Sequence, residues 1–149
     1  MTAPAAPDLK LFALLAELGD DERELVADML ERFDLDEGEQ LFAEGQEAEG
    51  LYFVEHGTLE LRSQRAGSLG RAAAGEALGC ISLVAVGPRE ATAVAADEAR
   101  VWLLSRESFR RLAYDSPRAA CRILEAALAD FAGAVRDELD RFAGPRSRA

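Results

Sequence analysis

The sequence has few of the residues that build metal sites, disulfide scaffolds or membrane spans. Its 149 residues include two cysteines, Cys80 and Cys121, and one histidine, His56. So sparse a set argues against a zinc site and a disulfide framework, and we expect two reduced, partly buried thiols. No run approaches 18 consecutive apolar residues, so we expect no membrane-spanning helix.

Positive charge is scarce in the first third of the chain. Residues 1–50 carry 15 Asp and Glu against 3 Lys and Arg, whereas residues 51–149 carry 13 against 14. An acidic half repels nucleic acid and anionic lipid, so we expect neither as a direct partner. Such a face can recruit a basic protein or only aid solubility, and the composition leaves both open.

The chain length and the first residues define the expected domain organisation. One hundred and forty-nine residues suit a single domain with its own core. The opening Met-Thr-Ala-Pro-Ala-Ala-Pro lacks the basic flank and apolar core of a secretory signal. We therefore expect disordered tails over 1–8 and 143–149, one domain over 9–142, and a cytoplasmic location.

Two helices are predicted first, and short strands follow. Asp8 is placed to cap a helix over 9–18, and Asp20 to cap a second helix ending near 31. From Phe33 the apolar period changes from 3.6 to 2, and glycines recur between the apolar segments. The apolar segments are Phe33 and Leu35, Leu41-Phe42, Leu51-Tyr52-Phe53-Val54, and Leu59 and Leu61. Short strands between glycine turns indicate a β-sandwich or a jelly-roll barrel.

The C-terminal third predicts two closing strands and two helices. The strands span 91–96 and 101–104, with Trp102 packed inward, and Ser105 caps the first helix. The last helix, over 116–142, is about 39 Å long at 1.5 Å per residue. Its apolar stripe is Leu124, Leu128, Phe131, Val135, Leu139 and Phe142. Such a seam lies over the barrel or pairs with its twin, and the length favours a homodimer.

The segment 75–92 has the residue order of a small anion site. Glycines open it, a short apolar helical run follows, and a turn brings Arg89 after Pro88. Glycine turns allow close backbone approach, helix N-termini offer free N–H groups, and arginine supplies charge. The alternative is an arginine that pairs internally with Glu76 or Glu90.

This segment resembles the phosphate-binding cassette of cyclic-nucleotide-binding domains, the family of catabolite activators and cAMP-dependent kinase regulatory subunits. The residues that carry the match are Gly79, Ile81-Ser82-Leu83, Pro88-Arg89 and Ala91-Thr92, and the strand glycines Gly38, Gly45 and Gly57 also fit. The resemblance covers about 9–142. It implies an α+β fold: an eight-stranded antiparallel jelly-roll β-barrel flanked by N-terminal helices and a long C-terminal helix.

The resemblance also implies which residues would hold a ligand. Arg89 would pair with the phosphate, helped by backbone N–H groups near Cys80–Ser82 and Glu90–Ala91. The ligand-binding candidates are Gly79, Cys80, Ile81, Ser82, Arg89, Glu90 and Ala91. After the last helix only Gly-Pro-Arg-Ser-Arg-Ala remains, so we expect a sensor-type domain without a DNA-reading module.

Two positions depart from the family pattern. Cys80 stands where the family has the glutamate that accepts the ribose hydroxyl, and a mostly protonated thiol is a weak acceptor. Glu90 stands where the family has a small residue beside the phosphate, and it could neutralise Arg89. Glu76 could replace the missing acceptor only from four residues earlier.

No set of residues proposes a reaction. Ser82 lacks a Gly-x-Ser-x-Gly elbow, and His56 lies in a turn. We therefore expect a non-catalytic regulatory module that needs no cofactor, binds cAMP or cGMP weakly or not at all, and acts on another protein. The alternative is a genuine sensor of a cyclic nucleotide or another small phosphate ligand, signalling through the last helix.

Overall fold

The computed structural model describes residues 8–143, an α+β chain of eight strands, three α-helices and three short 3-10 turns. The helices are α1 Asp20–Met29, α2 Arg106–Asp115 and α3 Pro117–Ala143. The strands are β1 Glu31–Leu35, β2 Gln40–Phe42, β3 Gly50–His56, β4 Thr58–Ser63, β5 Gly67–Ala73, β6 Ala77–Leu78, β7 Thr92–Ala95 and β8 Ala99–Ser105. The 3-10 turns are Leu9–Leu11, Ala13–Leu15 and Cys80–Leu83. The tails predicted over 1–8 and 143–149 lie outside the described residues except for Asp8 and Ala143.

The strands form two four-stranded antiparallel sheets. Their orders are β1-β8-β3-β6 and β2-β7-β4-β5. Eight antiparallel strands were predicted and are found. The predicted barrel is not closed, because no strand pairing joins the two sheets within 8–143. Strand β6 is only two residues long, since Gly79 (φ 80°) turns the chain into the next 3-10 turn. The jelly-roll topology stays a prediction.

The central strands β3 and β8 of the first sheet are buried on both faces over most of their length. In β3, Leu51 and Phe53 belong to one apolar cluster, while Tyr52 and Val54 belong to a second. The first cluster lies under the helices, and the second contains residues of both sheets. The uninterrupted apolar run of β3 follows from this, because a strand covered on both faces has no solvent side. Trp102 on β8 is buried in the first cluster, as predicted.

The predicted first helix, 9–18, is wrong. Two 3-10 turns occupy this segment, and Phe12 between them is extended. The Phe12 side chain is 1% exposed, with its ring centroid 5.1 Å from that of Phe53. The Ala13 N–H donates to the Gly75 carbonyl at 3.3 Å. Burial of one aromatic ring and this long-range bond therefore override the helical period.

The other helices match their predictions with small shifts. Helix α1 ends at Met29, because Glu31 already pairs with Leu103 in the sheet. Its N-cap is Gly19, whose N–H donates to the Glu22 carboxylate at 2.8 Å, rather than the predicted Asp20. Ser105 caps α2 as predicted, accepting from the Ser108 N–H at 3.0 Å.

Candidate functional site

A cavity of about 510 Å³ lies between the segment 77–91, the β2 and β4–β5 side of the second sheet, and α3. All seven residues predicted from the sequence line it: Gly79, Cys80, Ile81, Ser82, Arg89, Glu90 and Ala91. The fold therefore brings together the two halves of the predicted cassette. The volume is within the usual range for small-molecule sites.

Arg89 is the buried cation of this cavity. Its side chain is 6% exposed. Nη2 donates to the Gly50 carbonyl at 3.0 Å, and Nη1 lies 3.5 Å from Ser82 Oγ. The guanidinium carbon is 4.3 Å from the centroid of the Phe42 ring and 5.3 Å from that of Tyr52, within cation–π range. Burial lowers the pKa of Arg89 from its ordinary value, and the charges of Tyr52 and Glu49 oppose that shift.

The expected alternative, an ion pair from Arg89 to Glu76 or Glu90, is not found among residues 8–143. The Glu76 carboxylate instead accepts the Ala73 N–H at 3.2 Å and does not line the cavity. Glu90 lines the cavity but is exposed at its edge. The arginine thus has a backbone carbonyl and a hydroxyl as acceptors, and no carboxylate in the described part of the chain lies within ion-pair distance of it.

Gly79 allows Arg89 to reach this position. Its φ of 80° lies in the left-handed region, which favours glycine because other residues are strained there. A Cβ at Gly79 would overlap Arg89 Nη1 and lie 3.3 Å from the Gly50 carbonyl oxygen. The glycine is therefore required both by the turn and by the guanidinium that packs against it.

Cys80 begins the 3-10 turn and is half-buried against the first apolar cluster. Burial raises the pKa of its thiol, and the negative charge of Asp130 on α3 raises it further. A thiol with a raised pKa is neutral near pH 7, so Cys80 offers a ligand no ionised acceptor.

One backbone donor predicted for the phosphate is already in use. The Ser82 N–H donates to the Gly79 carbonyl at 2.9 Å within the turn. It is therefore not available to a ligand as this segment stands. The Ser82 side chain faces Arg89 instead.

Arg106 and Asp130 were not singled out from the sequence. Arg106, the first residue of α2, donates to the carbonyls of Ser82 at 3.1 Å and Ala48 at 2.5 Å. It thereby fixes the cassette to the start of α2. Asp130 lines the cavity from α3. Both approach from more than 20 residues away, and no local pattern signals such contacts.

Helix α3 meets the cavity through Asp130, Phe131 and Ala134. Its earlier turns are buried through Ala119, Ala120, Ile123 and Ala127, three of which belong to the first apolar cluster. The predicted stripe lies on a different face and is exposed at all six positions: Leu124, Leu128, Phe131, Val135, Leu139 and Phe142. Phe131 also lines the cavity, and within residues 8–143 the other five side chains of the stripe are exposed as well.

Two features are absent from the described part of the chain, a cluster of metal-ligating side chains and a helix that could span a membrane. Residues 8–143 contain no group of three or more His, Cys, Asp and Glu side chains arranged to hold a metal ion. None of the described helices is both long and apolar enough to cross a bilayer.

Comparisons with known proteins agree with this architecture. The family model for the cyclic nucleotide-binding domain matches residues 32–115. cAMP-dependent protein kinase regulatory subunits from Candida albicans and Debaryomyces hansenii are 30% and 32% identical over 104 residues, which is 70% of this chain. The chain spans 23% of the length of either relative.

Solved structures show the same similarity. The catabolite activator protein of Thermus thermophilus aligns with a TM-score of 0.76 and 28% identity, over 88% of this chain and 63% of that one. The N-terminal domain of a transcriptional regulator from Streptomyces coelicolor A3(2) aligns with a TM-score of 0.74 and 27% identity, over 89% and 94% of the two chains. The matched segment includes both halves of the cavity-lining cassette, and the chain belongs to the cyclic nucleotide-binding domain family.

Proposed function

We propose that this chain is a non-catalytic regulatory module that binds cAMP and cGMP weakly or not at all and acts by contacting another protein. The observation that carries the proposal is the neutral, half-buried Cys80 at the position where the family has an ionised ribose acceptor. Loss of a hydrogen bond to a charged group costs about 1.5–3 kcal/mol, or roughly 10- to 150-fold in affinity. The module works in the cytoplasm and needs no cofactor.

The exposed face of α3 is the proposed surface of a homodimer, which is separate from the contact with the other protein. Helix α3 is 27 residues long, and its six exposed apolar residues recur at helical spacing along it. A continuous apolar seam of this length on a charged chain is typical of an interaction surface. We assign it to a second copy of the chain, whose identical stripe would pair with it as in a two-stranded coiled coil. Nucleic acid and membrane are not proposed as partners.

The seam predicts the oligomeric state. Leu128 and Leu139 belong to the apolar stripe and are 67% and 61% exposed. The wild type should be a dimer of two 16.1 kDa chains, and Leu128→Asp together with Leu139→Asp should convert it into a monomer. The control is Ala129→Asp, which adds the same charge to an exposed α3 residue outside the stripe. Sedimentation equilibrium measures the mass. A wild-type monomer at about 50 μM, or a dimer that survives both substitutions, would rule out this contact.

A second candidate is a genuine ligand sensor that signals through α3. The observation that favours it is the buried Arg89 guanidinium, which has no carboxylate partner among the described residues. The cavity also touches α3 directly at Asp130 and Phe131, which gives an occupant a route to the helix. Under this candidate, cAMP, cGMP or another small phosphate ligand binds with submicromolar affinity.

A further inference from the structure

The cavity combines one buried cation with walls that are otherwise apolar. Its apolar walls come from Leu78 within the cassette segment and from Phe42, Leu61, Leu69 and Phe131 outside it. Polar side chains on its lining are confined to Cys80, Ser82, Arg89, Glu90 and Asp130. Of these five, only Ser82 and Arg89 are buried, and they lie beside one another. The polar interior of the cavity is thus concentrated at one end.

That polar end suits a single negative charge. Arg89 is the cation on the cavity lining, and it retains a planar donor group capable of paired hydrogen bonds to a carboxylate. The exposed Glu90 carboxylate stands next to it in sequence and opposes a second negative charge. A monoanionic head is therefore favoured over a dianionic phosphate monoester.

The remaining wall does not suit a sugar. A ribose needs acceptors for its hydroxyl groups, yet Cys80 is a neutral thiol, and the Asp130 and Glu90 carboxylates on the lining are exposed to solvent. A buried polar group without a partner lowers affinity by about tenfold or more. An apolar body packed against Leu61, Leu69 and Phe131 would instead contribute favourable binding free energy, because its apolar surface is removed from water.

We infer that the occupant of this cavity is an amphipathic organic monoanion: a carboxylate on an aromatic or branched aliphatic body of small-molecule size. Its carboxylate meets Arg89 and Ser82, and its body fills the apolar wall below α3. This inference rests on the proposed function, since it supplies the ligand class for a regulatory module that has lost its nucleotide contacts.

Three probe compounds test the contributions of the carboxylate head and the apolar body to binding. 4-Phenylbutyrate carries both, acetate carries the head alone, and 4-phenyl-1-butanol carries the body alone. Calorimetric titration of the full chain at pH 7.4 should show that 4-phenylbutyrate binds at least about tenfold tighter than either partial probe. Arg89→Gln should abolish that preference over the alcohol. The control, Arg110→Gln, changes an exposed arginine on α2 and should leave it intact.

The outcomes distinguish this inference from the proposed function. If 4-phenylbutyrate does not bind, or acetate binds as tightly, the ligand class is wrong while weak cyclic-nucleotide binding stands. If Arg89→Gln is folded and keeps the full preference, the assigned head contact is wrong. Submicromolar cAMP binding by the wild type would overturn the proposed function instead, whatever 4-phenylbutyrate does.

Discussion

Replacing Cys80 with glutamate is expected to raise the affinity for cAMP by about 10- to 150-fold. Cys80 lines the cavity one residue after the Gly79 turn, at the family's ribose-acceptor position. A carboxylate there would accept a ribose hydroxyl in a charge-assisted bond worth about 1.5–3 kcal/mol. Calorimetric titration of the wild type and Cys80→Glu with cAMP measures the gain. Arg89 stays in place to receive the phosphate.

The negative charge of Asp130 allows a further test of the Cys80→Glu substitution. Asp130 already helps raise the pKa of the Cys80 thiol, so it should also resist a new carboxylate at that position. The double variant Cys80→Glu with Asp130→Asn should therefore bind cAMP more tightly than Cys80→Glu alone. Cys80→Gln, which has the length without the charge, should gain much less. A folded Cys80→Glu variant with wild-type cAMP affinity would contradict the account of the missing acceptor.

Gly79→Ala is expected to lower the free energy of unfolding more than an ordinary glycine turn substitution does. The left-handed φ of 80° costs a residue with a Cβ about 1–2 kcal/mol. The new methyl group would also displace the Arg89 guanidinium from its bond to the Gly50 carbonyl. Loss of that charged hydrogen bond adds about 1.5–3 kcal/mol. Urea denaturation measures the total.

Gly38→Ala is the matched control. Gly38 has a φ of 85°, but a Cβ added there would meet nothing within 4 Å. The Gly38→Ala variant therefore has the backbone strain without a new contact. Arg89→Ala in the Gly79→Ala background should cost less than in the wild type, because the two changes remove the same contact. Equal destabilisation by Gly79→Ala and Gly38→Ala would show that the guanidinium does not depend on Gly79.

Structural features that are determined by nearby residues could be predicted from the sequence. The change of period at Phe33 located the start of the strands, and the glycine and proline turns located Gly79 and Arg89 on one site. The serine cap of α2 was also correct. The serine cap depends on residues three positions apart, and Gly79 and Arg89 lie ten positions apart within one segment.

Contacts between distant segments could not be predicted in the same way. Phe12 interrupts a helical period because its ring packs on Phe53, 41 positions later. Arg89 was expected to face a ligand phosphate or, as the alternative, to pair with Glu76 or Glu90, yet its acceptor is the Gly50 carbonyl, 39 positions away. A main-chain carbonyl leaves no signal in the side-chain sequence. The fold was therefore easier to predict than the partners of its buried charge.

Titration of the wild-type chain with cAMP and with cGMP by isothermal calorimetry tests the central claim most directly. The proposed function holds that Cys80 supplies no ionised acceptor to a ribose, although Arg89 remains the buried cation of the cavity. It predicts that neither nucleotide binds more tightly than about 1 μM. A submicromolar dissociation constant for either one would contradict it.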